Sequence, residues 1–262
     1  MKSLIQLLTE TGANEADWRK SALFSPMSLP LVILAGGLAT RLRPLTEKIP
    51  KALVEVAGRP FLEHQIELLK WNAISDVILC VGYLGEMIEQ RYGDGERLGV
   101  RIRYSFDGST LLGTGGAIKK ALALLPDAFF VLYGDSYLPV DYQAVAAAFQ
   151  EASETALMTV FANDDAWDTS NVWFEHGKIR LYSKREKLPE MRHIDYGLMI
   201  CTRQIFCDSP SDAPFDLADT LEQLSRNGQL AGYEVSQRFY EIGSPASLAE
   251  LDRVLSERSM LL

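Results

Sequence analysis

Apolar positions along the chain fall into two kinds of run. Short, continuous runs recur at Leu31-Val32-Ile33-Leu34, Val77-Ile78-Leu79-Cys80-Val81 and Phe129-Phe130-Val131-Leu132-Tyr133, and each suits a strand buried on both faces. Between them the spacing turns helical. Phe61 to Trp71 carries Leu62, Ile66 and Leu69 on one face behind Pro60, Glu86 to Tyr92 reads as a second helix, and Ala117 to Leu125 as a third that stops before Pro126. Val100 to Tyr104 alternates as a further strand, and Asp141 is placed to cap a helix running to Glu151. Strand and helix in alternation predict right-handed crossovers and a mostly parallel sheet.

Beyond residue 150 the pattern changes. Ala156 to Phe161, Val172 to Glu175, Ile179 to Tyr182 and Ile194 to Ile200 read as strands, some joined by turns as tight as His176-Gly177. Phe215 to Arg226 is helical. Ser244-Pro245 opens a last helix that turns Leu248, Leu251 and Leu255 inward. No repeat, low-complexity tract or linker interrupts this order. The expectation is one α/β domain over residues 29–262, Rossmann-like, with helices flanking the sheet and a small β-rich part. Residues 1–28 read as an N-terminal extension in which Leu4, Ile5 and Leu8 share a helical face. Charges at Glu10, Glu15, Asp17, Arg19 and Lys20 argue against a leader peptide, and Met27 is an alternative start.

Composition narrows the class. The 262 residues are 47% hydrophobic and 23% charged, as in an ordinary globular domain. The net charge of −9 disfavours nucleic acid or an anionic membrane as partner, while a local basic site can still hold a phosphate. Cys80, Cys201 and Cys207 have no framework spacing, which points to a reducing, cytoplasmic setting. No apolar run approaches the roughly 20 residues of a membrane helix.

The richest stretch is Leu34-Ala35-Gly36-Gly37-Leu38-Ala39-Thr40-Arg41, continued by Pro50-Lys51-Ala52-Leu53. Glycines directly after a strand let backbone N–H groups approach a ligand closely. Arg41, Arg43, Lys48, Lys51 and Arg59 make the stretch basic against Glu47 and Glu55, which suits a polyanionic small ligand. A plain strand-to-helix connection with a solvated basic face would look similar. Neither a Walker loop nor a GxGxxG fingerprint is present, which disfavours a nicotinamide dehydrogenase. Further on, Leu112-Gly113-Thr114-Gly115-Gly116 is a glycine-rich turn opening a helix. Gly134-Asp135 follows a buried strand, where α/β sheets bind ligands and where a carboxylate suits Mg²⁺. His64, His176 and His193 show no metal or triad spacing.

The segment from Leu34 to Pro60 resembles the signature of the sugar-1-phosphate nucleotidylyltransferases, in Gly36, Gly37, Arg41, Pro50, Lys51 and Leu53. It departs from that pattern in Leu38-Ala39-Thr40. The later motifs follow in the same order over residues 31 to 258. The resemblance implies a GT-A-like architecture with a nucleotide-binding half over 29–150 and a sugar-phosphate-binding half over 151–262. It implies that Leu34, Ala35, Gly36, Gly37, Gly113, Thr114 and Gly115 bind the nucleotide. Arg41, Lys51 and Asp135 would be catalytic, with Asp135 and Glu241 as ligands of Mg²⁺. Glu241 stands where the family carries Asp. Gly134, Lys184, Asp195 and Gly197 would face the sugar phosphate. Asp195 replaces an Asn there, losing a donor and gaining an acceptor. Lys187, within Glu186-Lys187, is the alternative to Lys184.

The implied reaction joins a nucleoside triphosphate and a sugar-1-phosphate by in-line attack at the α-phosphorus, releasing pyrophosphate. Two other readings fit the departures: a non-catalytic nucleotide-sugar-binding regulatory subunit, and transfer to a non-sugar phosphate acceptor. Base, sugar, pathway and oligomeric state, a homo-oligomer included, stay open at this level.

Overall fold

A computed structural model of the chain describes residues 29–209 and 213–259. The amphipathic helix expected within residues 1–28 lies outside the described residues. The framework is a nine-stranded sheet. In sequence order its strands are β1 (Leu31–Leu34), β4 (Asp76–Val81), β5 (Arg101–Phe106), β6 (Ala128–Tyr133), β8 (Ala156–Ala162), β9 (Val172–Glu175), β10 (Lys178–Tyr182), β11 (His193–Thr202) and β12 (Leu230–Val235). Two short hairpin-like sheets pair β2 (Glu55–Val56) with β3 (Arg59–Pro60) and β7 (Ser136–Tyr137) with β13 (Tyr240–Glu241).

The spatial order is β5-β4-β1-β6-β11-β8-β12-β10-β9. The first four strands run parallel, in register Leu31↔Val77 and Leu31↔Phe130 at β1. β11 then enters antiparallel against both β6 and β8, and the remainder is mixed. The parallel character expected of the sheet therefore belongs to its β5-β4-β1-β6 half, where helical crossovers return each strand to the same edge.

Alternation along the strands divides the core in two. Leu31, Ile33, Val77, Leu79, Phe130 and Leu132 point to one face, under helices α1 (Phe61–Trp71), α2 (Gly85–Tyr92) and α4 (Tyr142–Glu151). Val32, Ile78, Cys80, Phe129 and Val131 point to the other, under α3 (Gly113–Ala121) and α5 (Leu217–Arg226). This is why the runs read as continuous: both faces are dry. The last helix, α6 (Pro245–Ser259), covers a satellite core of Val54, Val56, Phe61, Tyr137 and Ile242 with Leu251 and Leu255.

The expected caps form. Asp141 accepts from the N–H groups of Gln143 and Ala144, and Ser244 Oγ from that of Ser247. The β9–β10 turn puts His176 at φ 51° and Gly177 at φ 74°, the left-handed pair of a two-residue hairpin. Two boundaries differ from expectation. α3 begins at Gly113 rather than Ala117, and its last turn tightens at Leu122–Leu124. α5 begins at Leu217, after the capping Asp216, because Phe215 is engaged elsewhere. Strand β12 adds to the expected strands, between α5 and the final helix.

Candidate active site

The carboxyl ends of β1, β4 and β6 open onto a cleft of about 270 Å³. Leu34, Ala35, Gly36, Gly37, Gly113, Thr114, Gly134, Lys51 and Asp135 all line it. The first glycine loop turns off β1 once the Ala35 N–H has been taken by the Cys80 carbonyl at 2.8 Å. Among the described residues, the N–H groups of Gly36 and Gly37 donate to no acceptor, which leaves them for a ligand. A Cβ at Gly36 would meet Gly82 N at 3.1 Å, so the loop lies close on its neighbour strand's exit.

Lys51 and Asp135 come from segments 84 residues apart and meet at 2.9 Å. Each is held from its own side. Ala52 and Val54 are buried and turn Lys51 outward from a short 3-10 turn closed by Val54 N–H on Lys51 O. Asp135 follows Gly134, where a Cβ would lie 2.3 Å from the Leu34 carbonyl oxygen. Only glycine permits this contact between the ends of β6 and β1. Asp135 O then accepts from Ile242 N–H at 2.9 Å, which fastens β13 beside it and places Glu241 opposite Ser136. Burial raises the Glu241 carboxyl above its ordinary range, the Asp135 charge raises it further, and Arg41 and Lys51 oppose both. Arg41 Nη2 would lie 2.9 Å from a Cβ at Gly243, at the same mouth.

Two carboxylates, Asp135 and Glu241, thus lie beside two cations, Lys51 and Arg41. Among the described residues no group of three or more His, Cys, Asp and Glu gathers. The Asp135 and Glu241 carboxylates are hard oxygen donors, of the kind an ion such as Mg²⁺ takes when phosphate oxygen and water complete its shell.

The second glycine turn serves packing as well as the cleft. Gly113 has φ 71°, and a Cβ on Gly115 would lie 2.2 Å from the Phe215 ring. The Gly115 N–H donates to Phe215 O at 3.0 Å. Gly113 and Thr114 reach the cleft, whereas Gly115 faces Phe215. The Thr114 hydroxyl donates to Asp216 at 2.7 Å and accepts from Leu217 N–H at 2.8 Å, locking α3 to α5. Asp107, not singled out in the sequence, lies 8% exposed on the cleft wall and accepts from Leu112 N–H at 3.1 Å, shaping the turn. Burial raises its carboxyl, against Leu112 N–H and Lys120.

Beyond Tyr133 the site continues into the antiparallel part. Lys184 Nζ lies 5.8 Å over the Tyr133 ring. Lys187 pairs instead with exposed Asp165 at 2.7 Å, so of the two candidate lysines Lys184 is the one beside the cleft. A register shift in β11 between Asp195 and Met199, with Gly197 at φ 100°, curls the Asp195 carboxylate onto Gly197 N–H at 2.9 Å. The Tyr133 hydroxyl donates to its other oxygen at 3.4 Å. Burial pushes Asp195 up to about 6, against the Gly197 N–H, the Lys184 charge and the Tyr133 hydroxyl.

The arrangement sets a glycine loop, two cations and two carboxylates at the mouth of one cleft, with Lys184 and Asp195 beyond Tyr133. The family model described as nucleotidyl transferase matches residues 31–257. A D-glycero-alpha-D-manno-heptose 1-phosphate guanylyltransferase of Campylobacter jejuni is 31% identical, over 82% of this chain and 94% of its own. An N-acetylmuramate alpha-1-phosphate uridylyltransferase of Caulobacter vibrioides is 32% identical, over 86% and 96%. Among solved structures, HddC from Yersinia pseudotuberculosis complexed with GMP-PN superposes with a TM-score of 0.73 at 25% identity, covering 87% of this chain and 99% of that one. The chain belongs to the nucleotidyl transferase family, among the sugar-1-phosphate nucleotidyltransferases, and is an enzyme. Among the described residues, no helix is long and apolar enough to cross a membrane.

Proposed function

We propose that the enzyme transfers a nucleotidyl group from a nucleoside triphosphate to a sugar-1-phosphate in a Mg²⁺-dependent, in-line reaction. The observation that carries this reading is the meeting of Lys51, Asp135, Glu241 and Arg41 at the phosphate cradle, with Lys184 across Tyr133. An oxygen of the sugar phosphate attacks the α-phosphorus. The bond from that phosphorus to the oxygen bridging to the β-phosphate breaks, and pyrophosphate leaves.

The nucleophile is already an anion, so no general base is needed. The barrier lies in bringing two polyanions together and in charge growing on the leaving group, and positioned cations lower both. Gly36 and Gly37 N–H groups cradle phosphate oxygens. Arg41 neutralises the departing pyrophosphate, Lys51 bridges near the α-phosphate, and Lys184 orients the incoming phosphate. Asp135 and Glu241 would hold Mg²⁺, which when bound would supply Lewis-acid charge neutralisation.

The relatives suggest the first pairs to try: GTP with a manno-heptose 1-phosphate or mannose 1-phosphate, and UTP with N-acetylmuramate 1-phosphate or glucose 1-phosphate. Pyrophosphate release is measured over all four nucleoside triphosphates against these acceptors, with and without Mg²⁺. Release from one pair, abolished by chelation, is the expected result. Nucleotide binding without release from any pair would overturn the proposal in favour of a regulatory binder.

A further inference from the structure

Asp195 faces a difficulty as a sugar ligand. An ionised carboxylate only accepts hydrogen bonds; each of its oxygens takes one, from Gly197 N–H and the Tyr133 hydroxyl, and keeps room for another, but neither can donate. Each sugar hydroxyl has one O–H to donate and two lone pairs that accept, so a pocket that reads them needs a neutral donor beside the acceptor. A cationic lysine already committed to phosphate does not supply one.

Asn171 supplies it. Its backbone N–H donates to His193 O at 2.9 Å, and its carbonyl accepts from Ser183 N–H at 3.0 Å, one residue before Lys184. Its Oδ1 accepts from the backbone N–H of Asp195 at 2.9 Å. That third bond fixes the amide orientation, because only the oxygen can face an N–H. Nδ2 is therefore turned away from the Asp195 backbone. Among the described residues it has no acceptor. The preceding turn is rigid: Ser170, 1% exposed, bonds to Asn163 Nδ2 and to Asp165 N–H. Asn171 is thus a pinned, half-buried amide, tied by its backbone to the residue before Lys184 and by its side chain to the backbone of Asp195.

We propose that Asn171 is a sugar-contacting specificity residue, whose Nδ2 donates to one hydroxyl of the sugar-1-phosphate while Asp195 accepts from a neighbouring one. The inference rests on the sugar-1-phosphate reading above. It adds the chemical class that the pocket selects: a sugar with adjacent free hydroxyls, one held as acceptor and one as donor.

Asn171→Asp is the informative variant. The new carboxylate still accepts from Asp195 N–H and has the same shape, but it has no donor. Each variant is tested with mannose 1-phosphate, glucose 1-phosphate, N-acetylmuramate 1-phosphate and manno-heptose 1-phosphate, by calorimetric binding and by turnover. The expected result is an affinity for the sugar phosphate weakened about tenfold or more, with nucleoside triphosphate binding and Tm unchanged. The exchange Asn171→Asp with Asp195→Asn restores a donor and an acceptor side by side, and recovers most of the affinity even if either single variant folds poorly. Unchanged sugar-phosphate affinity in a folded Asn171→Asp protein overturns the inference, and so does failure of every sugar phosphate to bind the wild type. Sugar-phosphate binding that depends on Asn171, without turnover, upholds it while removing the proposed reaction.

Discussion

The two ends of the cleft are built by different means. At the proposed nucleotide end many of the groups offered to a ligand are backbone, presented where parallel strands β1 and β6 stop, and glycines set their positions. At the proposed sugar end they are side chains, Lys184, Asp195 and Asn171, carried on antiparallel strands, a bulge and a turn. Backbone at a parallel strand end offers the same N–H groups whatever the neighbouring side chains, so this end suits the phosphates common to all nucleotides. Side chains on an antiparallel rim can be exchanged singly, so that end suits what differs between substrates.

This contrast can be broken at its centre. Asp135→Ala should lower turnover by about 10²–10³-fold while leaving Tm near wild type, as read by nucleotide-sugar formation and a thermal melt. Retained turnover would remove Asp135 from the chemistry. Next in size, Lys184→Ala should cost about 10²-fold in kcat/KM for the sugar phosphate. Lys187→Ala, which breaks only an exposed pair with Asp165, should stay within about twofold. The reverse ranking would shift the phosphate contact to Lys187.

Asp195 provides a pH test. Its carboxyl is raised to about 6 from an ordinary value near 3.8, so the folded protein binds its proton more tightly than the unfolded chain does. The folded state is therefore favoured by this group at pH below about 4, and that benefit is lost as pH rises through about 6. Asp195→Asn, which never ionises, should raise the Tm of the ligand-free protein by about 5 °C at pH 7 and hardly at all at pH 4. Equal shifts at both pH values would show that the burial of this charge costs nothing. The smallest effect is expected at the joint between the two ends. Thr114→Val removes the bonds to Asp216 and Leu217 N–H and should lower Tm by about 3 °C.

The same contrast governs what could be read from the chain. β1, β4 and β6 announce themselves because burial on both faces admits only apolar residues. Gly36-Gly37, Lys51 and Gly134-Asp135 are legible because a backbone cradle demands particular residues at particular spacings. β12 was not, because Leu230-Ala-Gly-Tyr-Glu-Val235 is only partly covered and carries Gly232, whose Cβ would lie 2.6 Å from the Phe174 ring. The start of α3 was misplaced because glycines disfavour helix interiors, yet here the docking of Phe215 requires them. Asn171 and Asp107 carry no local signal. Each matters through a partner distant in sequence or through a turn that only the folded chain closes. Asp168-Thr169-Ser170-Asn171 reads simply as a polar loop.

Gly134 has a further consequence. With the Leu34 carbonyl against its α-carbon, the glycine loop that leaves β1 and the carboxylate one residue later are held as a single part. No graded series of substitutions leads away from that arrangement, since the smallest added side chain already collides with backbone. The rim around Asn171 has no such lock. A lineage built on this scaffold inherits its phosphate chemistry whole and is free to explore new sugars.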